Sequence, residues 1–340
     1  MQAPSPHNNT VPGPVFITGA SGFIGRHLAI ALADQGSRVH ALVRRSSTTD
    51  QLNHPNITLF NGDLLDKKSI ALAMTNCRQV YHLAGLAKGW MPDSDSYHNV
   101  NVVGTRNVLE AAKHIGVEKI LITSTAGVFP PADQVPVDER SSKRPDLYTR
   151  YEQTKNEAEE LARTYFNDGL PVVIVNPTKV YGPGLIDDSN TATMMIRDYI
   201  LGKWKFIPGD GHGIANYVFI DDVVSGMISA MLLAKPGSQY IMGGDNASFN
   251  TFFSIIKKQS KINNRLFHIP YGLIRAMAFV EDIKASLKVK PFITSEWAKK
   301  IPYNWSKDIS LAKTQLNYNP ISLEEGVART IKWLRASDMI

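Results

Sequence analysis

The chain has 340 residues, of which 43% are hydrophobic and 20% charged, a composition typical of globular proteins with a large core. Its net charge of +6 is carried without long runs of like charge, which favours an ordinary solvated surface over nucleic-acid binding. The single cysteine, Cys77, excludes an internal disulfide and a cysteine-based zinc site, and it fits a reducing, cytoplasmic setting.

The first dozen residues are polar and contain prolines, and they lack the basic start and apolar stretch of a signal peptide. We therefore expect a loose tail at 1–12. No segment reaches the ~18 apolar residues that a membrane span needs. The nearest is Ile269 to Val280, which Pro270, Gly272 and Arg275 interrupt, and an amphipathic helix beside an apolar pocket is the interpretation we prefer for it.

The stretch Val15 to Gly25, VFITGASGFIG, predicts a buried strand, a tight turn and the start of a helix. Gly19 would turn the chain, Gly22 would let the backbone approach a pyrophosphate, and Gly25 would let the helix pack against the strand. The phosphates would lie at the helix N-terminus, where free N–H groups and the helix dipole attract anions. Glycines at this spacing also occur in turns that bind no ligand, so the rest of the sequence must decide between a dinucleotide-binding turn and an ordinary one.

A helix to about Gln35 and a second strand, Arg38 to Val43, follow the turn. In such folds the residue after the second strand meets the adenosine ribose: an acidic residue binds a 2′-hydroxyl, and arginines accommodate a 2′-phosphate. Arg44 and Arg45 occupy this place, which favours NADP(H) over NAD(H). Two solvated arginines at a strand end are the alternative.

Three more strands are predicted at Ile57–Asn61, Gln79–Leu83 and Lys119–Thr123, with helices at Lys67–Met74 and Asn99–Ile115 between them. This alternation predicts an α/β protein with a parallel, doubly wound sheet of the Rossmann type and right-handed crossovers.

Small and polar residues follow these strands. Asp63 would approach the adenine edge or, as a second interpretation, cap the next helix. Ala84 and Gly85 would leave room for a ligand at the carboxyl edge of the sheet, whereas we interpret His82 as a packed strand residue.

Tyr151 and Lys155 are four residues apart in a segment of helical character, Leu147 to Phe166, so their side chains share one helix face. Free tyrosine, with a pKa of about 10, is a poor acid-base catalyst at neutral pH, but a nearby ammonium favours its phenolate. Ser124 or Thr125 would donate a hydrogen bond to the same substrate oxygen. Such a pair also occurs on ordinary surface helices, but its place after a glycine-rich turn and a Ser/Thr-terminated strand favours chemistry.

At this point the sequence resembles the extended short-chain dehydrogenase/reductase family, part of the NAD-dependent epimerase/dehydratase superfamily. The motifs that carry the resemblance run in family order over nearly the whole chain: Thr18–Gly25, His82–Gly85, Asn101–Thr105, Ser124–Ala126, Tyr151 with Lys155, Asn176–Thr178 with Tyr181–Gly184, and Tyr217–Val223.

The resemblance implies that Tyr151 is the general acid or base, that Thr125, with Ser124 as a possible substitute, is the catalytic hydroxyl, and that Lys155 binds the nicotinamide ribose and tunes Tyr151. Asn101 lies where related enzymes keep a structural or proton-relay asparagine. Together with the arguments above, the resemblance implies that these residues contact the cofactor: Gly19, Ser21, Gly22, Phe23, Ile24, Gly25, Arg44, Arg45, Asp63, Leu64, Leu83, Ala84, Gly85, Tyr151, Lys155, Pro177, Thr178 and Val180. No metal is expected.

The resemblance also implies two units and a homodimer. A dinucleotide-binding domain is expected at 13–175 plus about 213–237. A smaller, mostly C-terminal α/β substrate lobe is expected at about 176–212 plus 238–335.

Two family branches compete: nucleotide-sugar epimerases and dehydratases, and carbonyl reductases resembling dihydroflavonol reductase and 3β-hydroxysteroid dehydrogenase. The sugar enzymes usually grip the substrate diphosphate with an arginine shortly before the Asp221–Asp222 pair, where this chain has Ala215. That difference, with Asn176–Thr178 and the two arginines, favours NADPH-dependent reduction of a ketone or aldehyde on an apolar small molecule. Tyr181–Gly184, shared with the sugar enzymes, keeps the epimerase alternative open.

Candidates for an apolar pocket wall, many of which core packing explains equally well, are Met194, Met195, Trp204, Phe206, Ile207, Met277, Phe279, Phe292 and Trp297. The chain is predicted to close with an amphipathic helix, Leu323 to Arg335, capped by Ser322. A non-catalytic protein that senses NADP(H) is a second alternative, although such proteins tend to lose Tyr151 or Lys155.

Overall fold

The computed structural model describes residues 13–143 and 145–340, so the predicted tail at 1–12 lies outside the described residues. The strands within these ranges are β1 Val15–Thr18, β2 Val39–Val43, β3 Ile57–Asn61, β4 Gln79–His82, β5 Lys119–Thr123, β6 Val172–Pro177, β7 Lys179–Tyr181, β8 Phe206–Pro208, β9 Ile214–Phe219, β10 Gln239–Met242, β11 Asp245–Ser248 and β12 Phe267–Ile269.

The helices in the same ranges are α1 Phe23–Asp34, α2 Lys67–Met74, α3 Asp95–His98, α4 Gly104–Ile115, α5 Arg150–Asn167, α6 Thr191–Ile200, α7 Ile220–Leu233, α8 Phe249–Ser260, α9 Tyr271–Ser286, α10 Ser295–Lys300, α11 Ser310–Leu316 and α12 Leu323–Ala336. A π-helical segment, Asn99–Val103, joins α3 to α4.

Seven parallel strands form the main sheet in the order β10-β6-β5-β4-β1-β2-β3. Both faces are covered, because Val15 and Ile17 of β1 point into one apolar core while Phe16 points into the other. The first core contains residues of α1 and α7, and the second contains residues of α2, α4 and α5. The predicted doubly wound sheet is confirmed, and strand order reverses between β1 and β4, where such folds bind ligands.

The smaller sheets lie in the later part of the chain. One has the order β11-β9-β7, with β7 parallel and β11 antiparallel to β9, and the other pairs β12 with β8. β10 pairs with β6 in the main sheet, although the predicted boundary at 238 assigned it to the substrate lobe. In the described part of the chain, no helix is both long and apolar enough to cross a bilayer.

Local signals explain where several helices begin. α5 begins at a capping box, in which the Thr149 side chain accepts from the Glu152 backbone and the Glu152 side chain accepts from the Thr149 backbone. It therefore starts three residues later than the predicted Leu147. α12 is capped by Ser322, as predicted. The predicted helix Asn99–Ile115 in fact begins at α3, and its first residues form the π-helical segment.

Candidate active site

The registers of the parallel strands align the ends that carry the predicted site. Thr18 of β1 pairs with Leu42 of β2 and with His82 of β4, and His82 pairs with Ile122 of β5. The residues that follow these four therefore lie along one edge of the sheet. This edge, at the carboxyl ends of the strands, brings the predicted cofactor and catalytic residues to one side of the molecule.

The glycine-rich turn after β1 is closely packed. Gly19 has φ +75, and a Cβ there would lie 2.6 Å from the Ala84 nitrogen. A Cβ at Gly25 would lie 2.1 Å from the Gly19 oxygen, so α1 approaches the turn more closely than any side chain permits. At Gly22 a Cβ would meet only the Gly19 oxygen, at 3.2 Å, which leaves open space in front of the turn.

The N-terminus of α1 suits an anion. Gly22 is its N-cap, no side chain caps it, and its first turn contains no acidic residue. The free N–H groups and positive dipole end are therefore available to a phosphate. Of the neighbouring residues, Phe23 is buried, Ile24 is half-buried, and the Ser21 carbonyl accepts a hydrogen bond from Arg26 at 3.4 Å. The turn fits the pyrophosphate of a dinucleotide.

Arg44 and Arg45 follow β2 and are both exposed. Neither guanidinium forms a side-chain hydrogen bond or an ion pair within residues 13–143 and 145–340. They lie one strand away from the glycine-rich turn, because β2 pairs with β1 in parallel register. Both arginines are therefore free to bind an anionic ligand at this edge.

Asp63 does not cap the helix that follows it. Its Oδ1 accepts from the Leu65 backbone nitrogen at 2.9 Å, while Asp66 provides the cap of α2 by accepting from Lys68. The N-cap interpretation of Asp63 was therefore wrong, because the turn adds three residues before the helix starts. Leu64 is buried, and its carbonyl accepts from Asn107 Nδ2 at 2.8 Å.

A chain of hydrogen bonds fixes the end of β4. Thr105 donates to the Asn101 carbonyl at 2.6 Å and so accepts from Nε2 of His82, at 2.9 Å, which leaves Nδ1 to accept from Thr18 at 2.6 Å. Burial, and then Lys155, lowers the pKa of His82 to about 3. His82 is thus the neutral, packed strand residue that the sequence predicted.

Thr18 of β1 holds the backbone that follows β4. The Leu83 nitrogen bonds the Thr18 carbonyl at 3.1 Å, and the Ala84 nitrogen bonds the Thr18 hydroxyl at 3.2 Å. A Cβ at Gly85 would lie 3.2 Å from Asn101 Oδ1 and 3.7 Å from Lys155 Nζ. Gly85 therefore lies directly beside the lysine of the predicted catalytic set.

The two hydroxyls after β5 differ. Ser124 is buried, and its Oγ has no hydrogen-bond partner in the described part of the chain. The Thr125 hydroxyl accepts from the Gly127 nitrogen at 3.2 Å and lies beside the phenol of Tyr151. Burial, and then the Glu152 carboxylate, raises the pKa of Tyr151 above its ordinary value, while the neighbouring Thr125 hydroxyl lowers it. Tyr151 is consequently a protonated phenol at neutral pH.

Lys155 is buried, and its ammonium donates to the Thr123 carbonyl at 2.6 Å. Burial lowers the pKa of Lys155 to about 8, and the Glu159 carboxylate opposes that shift. Among the described residues no hydrogen bond joins Lys155 to Tyr151. The ammonium is instead fixed at the end of β5, beside Gly85.

Asn101 connects two parts of the site. Its Oδ1 accepts from the Leu86 nitrogen at 2.7 Å, and its Nδ2 donates to the Thr154 hydroxyl at 2.9 Å. The loop after β4 is thereby tied to α5, on the residue next to Lys155. The π-helical segment that carries Asn101 is a feature frequent at functional sites.

The end of β6 completes the edge. The Thr178 nitrogen donates to the Met242 carbonyl at 3.1 Å, and its buried Oγ1 has no partner in the described residues. Pro177 ends β6, and Val180 of β7 is buried. With Ser124, Thr178 gives this edge two buried hydroxyls that a ligand can engage.

The proposed pocket wall divides into three groups. Met195 and Ile207 belong to the core, and Trp204 packs against it. Met194 is half-buried. The exposed members are Phe206, Met277, Phe279, Phe292 and Trp297.

The sequence analysis missed two polar residues that organise this region. Thr154 has no signal beyond its place next to Lys155. Glu159 is fully buried and accepts from Lys143 at 2.6 Å and from Asn176 Nδ2 at 2.7 Å, although its charged helix reads as a solvated face. Asn176 also donates to the Thr125 carbonyl at 3.0 Å, so Glu159 supports the site from behind.

Comparison with known proteins agrees with this geometry. The model of the NAD dependent epimerase/dehydratase family matches residues 15–243. The chain is similar to a putative dihydroflavonol 4-reductase of Synechocystis sp., with 29% identity over 94% of each chain. It is similar to the decarboxylating sterol-4-alpha-carboxylate 3-dehydrogenase of Candida albicans, with 28% identity over 94% of this chain and 97% of the relative.

Among solved structures, gox2253 is 29% identical and superposes with a TM-score of 0.83, covering 96% of this chain and 99% of the other. The family match spans more than half of the chain and contains the glycine-rich turn and the Tyr151–Lys155 pair. The protein therefore belongs to the NAD dependent epimerase/dehydratase family and is an NAD(P)-dependent enzyme of the extended short-chain dehydrogenase/reductase type.

Proposed function

We propose that the protein is an NADPH-dependent reductase that converts a ketone or aldehyde on a largely apolar small molecule to the alcohol, reversibly. The observation that carries this proposal is the state of Tyr151. Its phenol is protonated at neutral pH, only partly buried, and beside the Thr125 hydroxyl. A general acid that faces a carbonyl oxygen in the reductive direction needs this arrangement.

Each residue of the site has a separate task in this proposal. Tyr151 donates its proton to the carbonyl oxygen as that oxygen gains negative charge. The Ser124 hydroxyl, which lacks a partner in the described residues, donates a second hydrogen bond to the same oxygen. Thr125 stabilises the phenolate that remains on Tyr151, because its neighbouring hydroxyl lowers the pKa of the phenol.

The dinucleotide, when bound, supplies the hydride in reduction and accepts it in oxidation. Its pyrophosphate would be held by the turn Gly19–Gly25 and its ribose by Lys155. That Lys155 also favours the phenolate form of Tyr151 stays a prediction of the family resemblance, since Lys155 is not among the described groups that shift the pKa of Tyr151. Gly85, where a Cβ would lie 3.7 Å from Lys155 Nζ, leaves the backbone beside the lysine open for a ribose.

Preference for NADPH is supported by Arg44 and Arg45, which lack ion-pair partners among the described residues. A charge-assisted contact with a 2′-phosphate contributes about 1.5–3 kcal/mol, or roughly ten- to a hundredfold in affinity. Replacing both arginines by alanine should make NADPH and NADH bind equally, while Lys235→Ala, a matched exposed change, should leave the preference intact. Equal affinity in the unmodified protein would contradict this part of the proposal.

The choice of reductase over sugar epimerase is supported by position 215. Ala215 lies on β9 opposite Ala247 of β11, and the segment 209–217 contains no arginine. A substrate diphosphate would therefore lose the guanidinium that sugar enzymes usually provide there. Similarity to a reductase and to a dehydrogenase points the same way, although the family name and Tyr181–Gly184 keep the epimerase as the second candidate.

A substrate screen tests the proposal. Hydrophobic ketones and nucleotide sugars should be incubated with NADPH while the nicotinamide absorbance is followed. A reductase oxidises NADPH in step with the ketone, whereas an epimerase restores its cofactor in each cycle and shows no net change. Conversion of nucleotide sugars without net oxidation, with every ketone inert, would replace the reductase by the epimerase.

A homodimer and a cytoplasmic setting complete the proposal, and both come from the sequence. Sedimentation equilibrium of the full chain measures the oligomeric state directly. A monomer at micromolar concentration would contradict the homodimer.

A further inference from the structure

Lys179 is a positively charged side chain that the proposed mechanism does not use. It opens β7 one residue after Thr178, on the segment that follows the end of β6. Its side chain forms no hydrogen bond and no ion pair in residues 13–143 and 145–340. Three N–H donors therefore stay available on an ammonium that is half-buried.

Two aromatic rings flank this ammonium. Nζ lies 5.8 Å from the ring centroid of Tyr217 and 5.8 Å from that of Trp297. The negative faces of the rings attract the cation, but they accept none of its hydrogen bonds. Tyr217 is itself fixed by stacking on Phe252, with centroids 4.6 Å apart. The two rings therefore hold the ammonium in place, and its N–H groups stay free to bind a ligand.

Unsatisfied polar atoms adjoin Lys179 along the chain and across the sheet. Thr178 precedes it, and Tyr217 is its register partner on β9. The hydroxyls of both residues are buried without hydrogen-bond partners in the described chain. Buried polar groups are normally paired, so these two hydroxyls, together with the half-buried, unpaired ammonium of Lys179, indicate a place for a polar part of a ligand.

A helix connects Lys179 with the proposed proton donor. Trp297 lies on α10, and Glu296 beside it accepts from the Arg150 backbone nitrogen at 3.2 Å. Arg150 immediately precedes Tyr151. Through the adjacent residues Glu296 and Trp297, α10 therefore contacts both the first residue of the catalytic helix and the Lys179 ammonium.

Other lysines nearby are already engaged. Lys300 forms an ion pair with Glu152, and Lys307 donates to the Pro130 carbonyl at 3.1 Å. Burial lowers the pKa of Lys179 to about 8, and no carboxylate offsets the loss of hydration. A single anionic ligand would remove this cost, whereas a diphosphate calls for the bidentate guanidinium absent at Ala215.

We propose that Lys179 binds a carboxylate carried by the substrate, so that the enzyme acts on apolar oxo acids and the matching hydroxy acids. The proposal rests on the reductase function and narrows its substrate class. Lys179 fixes the acid end of the molecule, and Tyr151 protonates the carbonyl at a set distance from it. Neutral ketones of the same size lose the charged contact and bind more weakly.

Paired substrates test this proposal. 3-Oxo-, 4-oxo- and 5-oxodecanoate should each be compared with the methyl ester, which keeps the shape and removes the charge. For the acid whose spacing fits, we expect a kcat/KM roughly ten- to a hundredfold above that of its ester, the usual range for a charge-assisted contact. Lys179→Met should abolish this preference and leave the ester rate within about threefold, while the exposed control Lys203→Met should keep it.

Equal rates for every acid and its ester, or a Lys179→Met protein that slows both alike, would overturn the proposal. A binding measurement separates this failure from failure of the reductase function. Decanoate and decanol are titrated into the NADPH-loaded protein by calorimetry. Tighter binding of decanoate by the wild type, lost in Lys179→Met and kept in Lys179→Arg, supports the carboxylate site even if no ketone is reduced. Equal binding of the two probes by the wild type refutes it, whatever the variants do.

Discussion

The carboxyl edge of the main sheet and the surface around α9 are built by opposite principles. At the sheet edge, buried polar groups such as His82, Asn101 and Glu159 are held by named hydrogen bonds. In α9, a helix of 16 residues, only Ile274 and Ala278 are buried. Phe279 of this helix is 68% exposed and Phe292 beyond it 84% exposed.

The two regions differ in how precisely their side chains must be positioned. Proton transfer requires groups fixed to within a few tenths of an ångström, and a connected network of hydrogen bonds provides that order. An apolar surface that few contacts hold can adapt to ligands of different shape. We therefore propose that the chemistry takes place at the sheet edge and that the later part of the chain determines which substrate is bound.

The largest effect is expected at Tyr151. Tyr151→Phe removes the proton donor and should lower turnover by roughly 10²–10⁴-fold, the range for a general acid, with NADPH affinity almost unchanged. Steady-state oxidation of NADPH and fluorescence titration measure the two quantities. Thr125→Ala should cost less, because Ser124 remains. Turnover near the wild-type rate in the phenylalanine variant would remove Tyr151 from the mechanism.

A large loss of stability is expected behind the site. Glu159 accepts from Lys143, Asn176 and Gln239, so Glu159→Ala removes the charged acceptor that a half-buried lysine and two side-chain amides share. We expect the free energy of unfolding to fall by about 3–5 kcal/mol, measured by urea denaturation.

Glu157→Ala is the matched control for this change, since Glu157 lies on the same helix and is exposed. It should shift the free energy of unfolding by less than about 0.5 kcal/mol. If Glu159→Ala lowers the free energy of unfolding no more than Glu157→Ala does, the hydrogen bonds of Glu159 do not stabilise the fold.

A smaller effect concerns pH. Burial, and then Lys300, lowers the pKa of Lys307 to about 7. In the unfolded chain the pKa is about 10.4, so from about pH 7 to 10 the unfolded state holds the extra proton and the free energy of unfolding rises with pH. Lys307→Met should remove up to about 1.4 kcal/mol per pH unit of that slope.

Urea denaturation at several pH values between about 7.5 and 9.5 measures this slope. The exposed Lys313→Met serves as control and should run parallel to the wild type. Burial of Lys155 and Lys179 gives a slope of the same sign, but both lysines are present in all three proteins. Superimposable slopes for wild type and Lys307→Met would contradict a neutral, buried Lys307.

The smallest effect is expected on α9. Phe279→Ser changes an exposed ring and should alter the free energy of unfolding by less than about 0.5 kcal/mol. Phe252→Ala, which empties a fully buried position under Tyr217, should cost about 3–5 kcal/mol. Comparable losses in the two variants would show that α9 is covered in the folded protein, and the contrast between the two regions would disappear.

Much of the sheet edge was readable in the sequence. β3 and β5 have the predicted bounds, because each is a short run of residues suited to a strand with turn residues after it. The glycine-rich turn and the Tyr151–Lys155 spacing depend on local geometry, so the sequence indicated them as well. The doubly wound parallel sheet followed from the alternation of strands and helices, although β6 and β10, which complete its seven strands, were not predicted.

The rest depends on contacts between distant residues. β7, β8 and β12 have three residues each, too few for a periodic pattern, and they exist because a partner strand pairs with them. Glu159 lies in a charged helical stretch that predicts exposure, whereas its partners Lys143, Asn176 and Gln239 all lie outside that helix. Lys179 has no motif of its own, and its aromatic neighbours come from positions 217 and 297.

One experiment tests directly whether NADPH supplies the hydride and Tyr151 supplies the proton. Wild type and Tyr151→Phe are incubated with NADPH deuterated at the transferable position and with a ketone that the wild type reduces. We predict that the wild type forms an alcohol with one deuterium on its carbinol carbon, seen by mass spectrometry, and that Tyr151→Phe binds NADPH but forms almost none. Formation of the labelled alcohol by Tyr151→Phe at the wild-type rate would contradict the role of Tyr151 as the proton donor.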